Sequence, residues 1–174
     1  DLTRAHYPRM TKDIPIRPHP PQLAYLMLPH REALYGGAAG GGKSAALLTA
    51  ALQYVDIEGY AAILFRRTFA DLSLPGALMD RARDWLGPSD ARWSDVEKTW
   101  HFPSGATLTF GYLDTANNRF RYQSAEFQFV GFDELTQFPE SDYRYLFSRI
   151  RKPSEGPLSA VPLRMRAASN PGGI

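Results

Sequence analysis

The chain contains no cysteine, which excludes disulfides and thiolate metal sites. It has no apolar run near the roughly 20 residues a helix needs to cross a bilayer, and its N-terminal stretch lacks the apolar centre of a signal peptide. We therefore expect an intracellular protein without membrane contact. Strong charge of either sign is also missing: the net charge is +2, so bulk electrostatics does not mark a nucleic-acid binder. Most of the 20 basic residues are nonetheless arginine, the side chain best suited to bidentate phosphate contacts. No internal repeat or low-complexity tract is visible. With 174 residues, 44% hydrophobic and 22% charged, the composition is that of one globular domain with a sizeable core, too short for two ordinary ones.

Glycine, by contrast, is concentrated. Gly37-Ala38-Ala39-Gly40-Gly41-Gly42-Lys43-Ser44 matches G-x-x-x-x-G-K-[ST] in full. An apolar run at 33–35 precedes it and a strong helix former at 45–52 follows, which gives the strand–loop–helix order that the pattern requires. Glycines let the backbone N–H groups wrap a polyphosphate, and the helix N-terminus adds partial positive charge. In that arrangement Lys43 reaches the β- and γ-phosphates of ATP and the Ser44 hydroxyl ligates Mg²⁺. A flexible linker leading into a helix is the plain alternative, and the preceding strand argues against it.

Residues 1–21 hold five prolines and read as an extended arm, leaving 22–174 as the domain. A short helix is expected over 22–28 and a strand over 32–35. The helix after the glycine loop is expected to run to about residue 54. Residues 61–66 form an apolar run without alternation, as in a strand buried on both faces of a parallel sheet. Helical spacing covers 75–86, with Pro75 at its first position. Runs at 99–102 and 106–112 flank Pro103-Ser104-Gly105 and read as a β-hairpin. A polar loop with a helical turn fills 114–126. A buried strand is expected at 127–132, a helix at 142–151 and a last strand at 163–169. Strands alternating with helices imply right-handed crossovers, hence an α/β fold with a mainly parallel central sheet, helices on both faces, and the hairpin added.

The second half of a nucleotide site lies at 129–134, where an apolar strand delivers Asp133 and Glu134 to the carboxyl edge of the sheet. That order marks a Walker B element. Asp133 is placed to take the metal from the side opposite Ser44, and Glu134 to act as general base for an attacking water. Two surface acids capping the following helix are the alternative. Gln22 carries an amide that can pair with both adenine edges, and equally suits the neighbour of a helix N-cap. Ser169-Asn170-Pro171 ends a strand at the same edge, where a γ-phosphate sensor or a simple turn would sit. Arg66 and Arg67 end the second strand there too, and Arg119 and Arg121 occupy the polar loop. Any one of these arginines fits a solvated or structural role as well as a catalytic one.

With these residues on the page, the chain resembles the N-terminal ATPase domain of the large terminase subunit, the DNA-packaging motor of tailed bacteriophages. The resemblance rests on the Gln before the first strand, the 36–44 loop, Phe65-Arg66-Arg67-Thr68 with Leu72, and 122–126. Its most specific pieces are Asp133-Glu134-Leu135-Thr136-Gln137-Phe138 and Ser169-Asn170-Pro171-Gly172-Gly173. It implies a P-loop NTPase fold of the ASCE type, and Mg²⁺-dependent ATP hydrolysis coupled to translocation of double-stranded DNA. It further implies a homo-oligomeric ring of five subunits on the portal, a small terminase subunit as partner, and a place in the host cytoplasm outside the mature virion. It assigns Gln22 to adenine, 37–44 to the phosphates and metal, Asp133 to the metal, Glu134 to catalysis and Ser169-Asn170 to coupling. Arg119 or Arg121 would act on a neighbour's ATP, with Arg66 acting in cis. Ala39 stands where some relatives carry an arginine. The family's C-terminal nuclease, with its metal-binding acids, has no counterpart in these residues, so nucleotide binding without DNA cleavage is expected. A helicase- or recombinase-type ATPase, or a non-hydrolysing nucleotide-binding module, remains the alternative. A GTPase is disfavoured because Asp133-Glu134-Leu135-Thr136 is not D-x-x-G, and a small-molecule kinase because no lid with paired arginines is visible.

Overall fold

The computed structural model describes residues 25–26, 28–36, 42–115 and 117–169. Seven strands form one sheet: β1 (Glu32–Gly36), β2 (Ala61–Arg66), β3 (Arg92–Ser94), β4 (Thr99–His101), β5 (Thr107–Tyr112), β6 (Phe129–Asp133) and β7 (Arg164–Ser169). Their order is β1-β7-β6-β2-β5-β4-β3. The first five in that order are parallel, and β4 and β3 extend the sheet antiparallel. The expected hairpin is therefore present as β4–β5. It continues into β3, a short strand that the polar run around Trp93 does not announce. Trp93 packs on Trp100 with ring centroids 5.4 Å apart, which pins the added strand to the sheet.

The helices are α1 (Lys43–Ala51), α2 (Phe69–Ser73), α3 (Leu78–Leu86) and α4 (Glu140–Phe147). Side chains alternate along the strands into two cores. Ala62, Leu64 and Phe129 join Leu47, Leu48, Leu78 and Leu86 on one face. Ile63, Phe65, Val130, Phe132 and Met165 join Leu146 and Ile150 on the other. Helices thus cover both faces, as the unbroken apolar runs of β2 and β6 require. At Gly131 a Cβ would stand 2.5 Å from Leu64 Cδ2 and 3.1 Å from Leu47 Cδ1. Only glycine lets α1 lie so close to β6.

Boundaries differ from the sequence pattern in readable ways. Helix α3 starts at Leu78, not at Pro75, because Gly76 adopts φ 76°, outside the helical region; its N–H donates to Asp80 Oδ2 at 2.8 Å. The pattern passes over α2, whose start Thr68 marks by accepting the Asp71 N–H at 3.1 Å, an N-cap. Helix α4 begins two residues earlier than expected, just after Pro139. Phe127 makes an isolated bridge with Ile150 instead of joining β6. In the polar loop a 3₁₀ turn spans Asn118–Tyr122. Of the expected 22–28 helix, Tyr25 and Leu26 are helical; Gln22, Leu23, Ala24 and Met27, with the N-terminal arm, lie outside the described residues.

Candidate functional site

Strand register builds the site. Gly36 pairs with Ser169, Ala168 with Asp133, Phe132 with Phe65, and Arg66 with Tyr112. Gly36, Ser169, Asp133, Arg66 and Tyr112 therefore stand in a row along the carboxyl edge, where open parallel sheets bind ligands. Helix α1 opens at the same edge, with Gly42 at φ 78° as its N-cap. Its first-turn N–H groups and dipole favour an anion there. Lys43, the first helical residue, is buried.

Ser44 donates its hydroxyl to Asp133, with Oγ 3.2 Å from Oδ2 and 3.4 Å from Oδ1. Eighty-nine residues separate the two in sequence. Asp133 is 2% exposed, and a buried carboxylate needs partners. A second partner is Arg66, whose Nη1 lies 2.9 Å from Oδ2 and whose Nη2 lies 3.9 Å from Asp71. Two oxygens bound side by side on octahedral Mg²⁺ lie about 3 Å apart, so the Ser44–Asp133 pair suits such an ion. Among the described residues, no group of three or more His, Asp or Glu could hold a metal. A cation here would therefore lean on the hydroxyl, one carboxylate, water and ligand oxygens, the coordination Mg²⁺ commonly takes.

Glu134 follows with φ 57° and ψ 58°, a left-handed conformation that costs a non-glycine residue of order 1 kcal/mol and clusters at functional sites. It turns the chain sharply out of β6 into a 3₁₀ turn, Leu135–Gln137, closed by the Gln137 N–H donating to the Glu134 carbonyl at 3.0 Å.

The other arginines sit elsewhere. Arg119 Nη1 contacts Ser141 Oγ and Asp142 Oδ1, each at 3.1 Å. Arg67 Nη1 lies 3.5 Å from the other oxygen of Asp142 and also donates to the Leu113 carbonyl. Asp142 is completely buried and so ties the end of β2, the polar loop and α4 into one ion cluster. The sequence reading does not single it out; its signal was an acid in the first turn of a helix that starts at a proline. Arg121 lies over the Tyr112 ring at 5.2 Å, and its hydrogen bond to Tyr112 raises its pKa further. The expected sites Gln22, Gly37, Ala38, Ala39, Gly40, Gly41 and Asn170 lie outside the described residues.

With this geometry in hand, the family model for the terminase large subunit, T4likevirus-type, N-terminal, matches residues 34–159. The chain belongs to that family. No curated protein matches it by sequence. Among solved structures, the large terminase ATPase domain of Thermus phage P74-26 superposes with a TM-score of 0.60 at 14% identity, over 91% of this chain and 67% of that one. The full-length large terminase of a thermophilic bacteriophage gives 0.59 at 13% identity, over 81% of this chain and 34% of that one. The same phage protein in complex with ATP-gamma-S gives 0.57 at 14% identity, over 79% and 32%. This terminase chain thus spans about a third of that larger relative. At these identities the likeness establishes the fold, a P-loop NTPase fold built on a mostly parallel seven-stranded sheet.

Proposed function

We propose that this chain binds ATP with Mg²⁺ and hydrolyses it to move double-stranded viral DNA into a procapsid. One observation carries the reading: the Ser44 hydroxyl meets the Asp133 carboxylate at 3.2 Å, joining the glycine-loop helix to the acidic strand end. Family membership and the ATP-gamma-S complex of the thermophilic phage terminase support it.

In this reading, backbone N–H groups of 37–42 and the Lys43 ammonium hold the β- and γ-phosphates, and Gln22 reads adenine. Ser44 and Asp133 hold the ion, which when bound neutralises charge on the phosphate oxygens. Glu134 orients a water and accepts its proton as the water oxygen bonds to the γ-phosphorus and the bond to the β-phosphate oxygen breaks, releasing ADP and phosphate. Arg66 stabilises the developing charge in cis, and Arg119 or Arg121 does so from the next subunit. Ser169 and Asn170 report the γ-phosphate to the moving parts. The working assembly is a ring of five on the portal, fed by the small terminase subunit in the host cytoplasm.

Turnover of ATP with and without double-stranded DNA, across a series of protein concentrations, tests this. DNA-stimulated turnover that rises per subunit with concentration and disappears in Lys43→Ala is the expected result. Turnover indifferent to DNA would assign the chain to another ATPase class, and binding without turnover to a non-hydrolysing module.

A further inference from the structure

Arg166 heads the largest fully buried side chains, at 1% exposure, and no ion pair among the described residues includes it or Arg164. Burial lowers its pKa to about 10, which leaves it cationic at neutral pH. A buried cation without a counter-charge is a poor device for stability alone, so what it holds is informative. Its guanidinium donates to backbone carbonyls: Nη2 to Leu28 at 2.9 Å, and Nη1 to Arg31 and Met165 at 3.1 Å each. The Tyr25 ring lies 5.8 Å from it. Arg164, on the same face of β7 two residues earlier, donates to the Leu26 carbonyl at 3.2 Å and to buried Gln53 at 2.7 Å. Tyr25 completes the set by donating its hydroxyl to the Ala167 carbonyl at 3.2 Å.

Strand β7 thus grips the main chain of 25–31 at several points. That segment leads forward into β1 and the glycine loop, and four residues upstream of Leu26 stands Gln22. Beyond β7 come Asn170 and the end that faces the γ-phosphate in the reading above. The clamp therefore sits between the parts that would meet the two ends of one nucleotide. Main-chain carbonyls, unlike side chains, cannot swing to new partners, so three of them held by two arginines fix where the approach segment runs.

We infer that Arg166, with Arg164 and Tyr25, is a positioning set that holds the base-reading segment in register, so that adenine recognition depends on it while phosphate binding does not. This rests on the assignment of Gln22 and 37–44 to ATP.

The test is isothermal calorimetry on the full chain with Mg²⁺, comparing ATP, GTP and inorganic tripolyphosphate for the wild type, Arg166→Lys and Tyr25→Phe. Circular dichroism melts confirm folding, and Tyr25→Phe, which removes one hydroxyl, guards against a misfolded Arg166→Lys. The expected result is an ATP affinity about tenfold weaker in each variant, the cost of one or two misplaced hydrogen bonds. Tripolyphosphate affinity stays at the wild-type value, and the preference for ATP over GTP shrinks. Affinities for ATP and tripolyphosphate that fall together, or neither falling, would overturn the inference. A wild type that binds tripolyphosphate as tightly as ATP would instead sink the base-reading role of Gln22, and one that binds neither would sink the ATP site itself.

Discussion

Arg66 and Asp133 form an ion pair in which Nη1 sits 2.9 Å from Oδ2, the oxygen that also accepts the Ser44 hydroxyl. Guanidinium and metal thus compete for one carboxylate. Arg66→Ala leaves Asp133 buried without that cation, which should destabilise the metal-free chain by about 3 kcal/mol, read from urea unfolding. Mg²⁺ alone should then raise the melting temperature of the variant more than that of the wild type. An equal response to Mg²⁺ in both would separate Asp133 from the metal.

Glu134→Gln keeps the size and turn geometry of the side chain but cannot accept a proton. ATP turnover should fall by at least about 100-fold while nucleotide binding persists. Rapid-quench turnover beside equilibrium binding makes the distinction; unchanged turnover removes Glu134 from its role.

At Gly131 an added methyl meets Leu64 Cδ2 at 2.5 Å, Phe129 Cε1 at 3.0 Å and Leu47 Cδ1 at 3.1 Å. Gly131→Ala should cost about 1–3 kcal/mol through overpacking. It should also weaken phosphate binding, because α1 and Asp133 are the parts pushed apart. Thermal melts and tripolyphosphate binding report the two effects.

Asp142 answers two arginines from full burial, Arg119 at 3.1 Å and Arg67 at 3.5 Å. Asp142→Ala should destabilise by about 3 kcal/mol or more, whereas Asp142→Asn keeps an acceptor and should cost less. Urea unfolding of the two variants ranks them; equal losses would mean the charge is unimportant.

Alkali should unfold the protein through its tyrosines. Burial raises the pKa values of Tyr25 and Tyr60 far above the usual phenol value, and that of Tyr143 as well, helped by its hydrogen bond to Glu32. The unfolded chain releases these protons first, so the stability they contribute is complete below pH about 10 and is lost as pH rises above it. Arg166, with its pKa lowered to about 10, works in the opposite direction over the same range. Melting temperatures from pH 9 to 11 should fall, and less steeply in Tyr60→Phe, which loses only the 2.7 Å bond to the Ala51 carbonyl.

The parallel sheet was legible because β2 and β6 are unbroken apolar runs, a pattern that only burial on both faces explains. Ser44, Arg66 and Asp133 were legible because each ends or begins a regular element, so strand and helix boundaries place them at one edge. What stayed hidden depends on contacts across the chain. Trp93 makes β3 a strand only because Trp100 waits beside it. Asp142 looked like an ordinary first-turn acid until Arg67 and Arg119 were seen to converge on it. Arg164 and Arg166 read as the solvent side of a strand, and their burial follows from carbonyls contributed by a segment more than 130 residues away.

The tight seat of α1 on β6 also limits how such a machine can move. Where a helix and a strand touch with no room for a methyl, neither can slide without the other. The lysine, the hydroxyl and the aspartate must then travel as one rigid block. Any stroke driven by nucleotide turnover has to be expressed at the rim of the sheet, in the left-handed turn beyond the aspartate and in the arginine-rich loop, while the centre acts as the anvil.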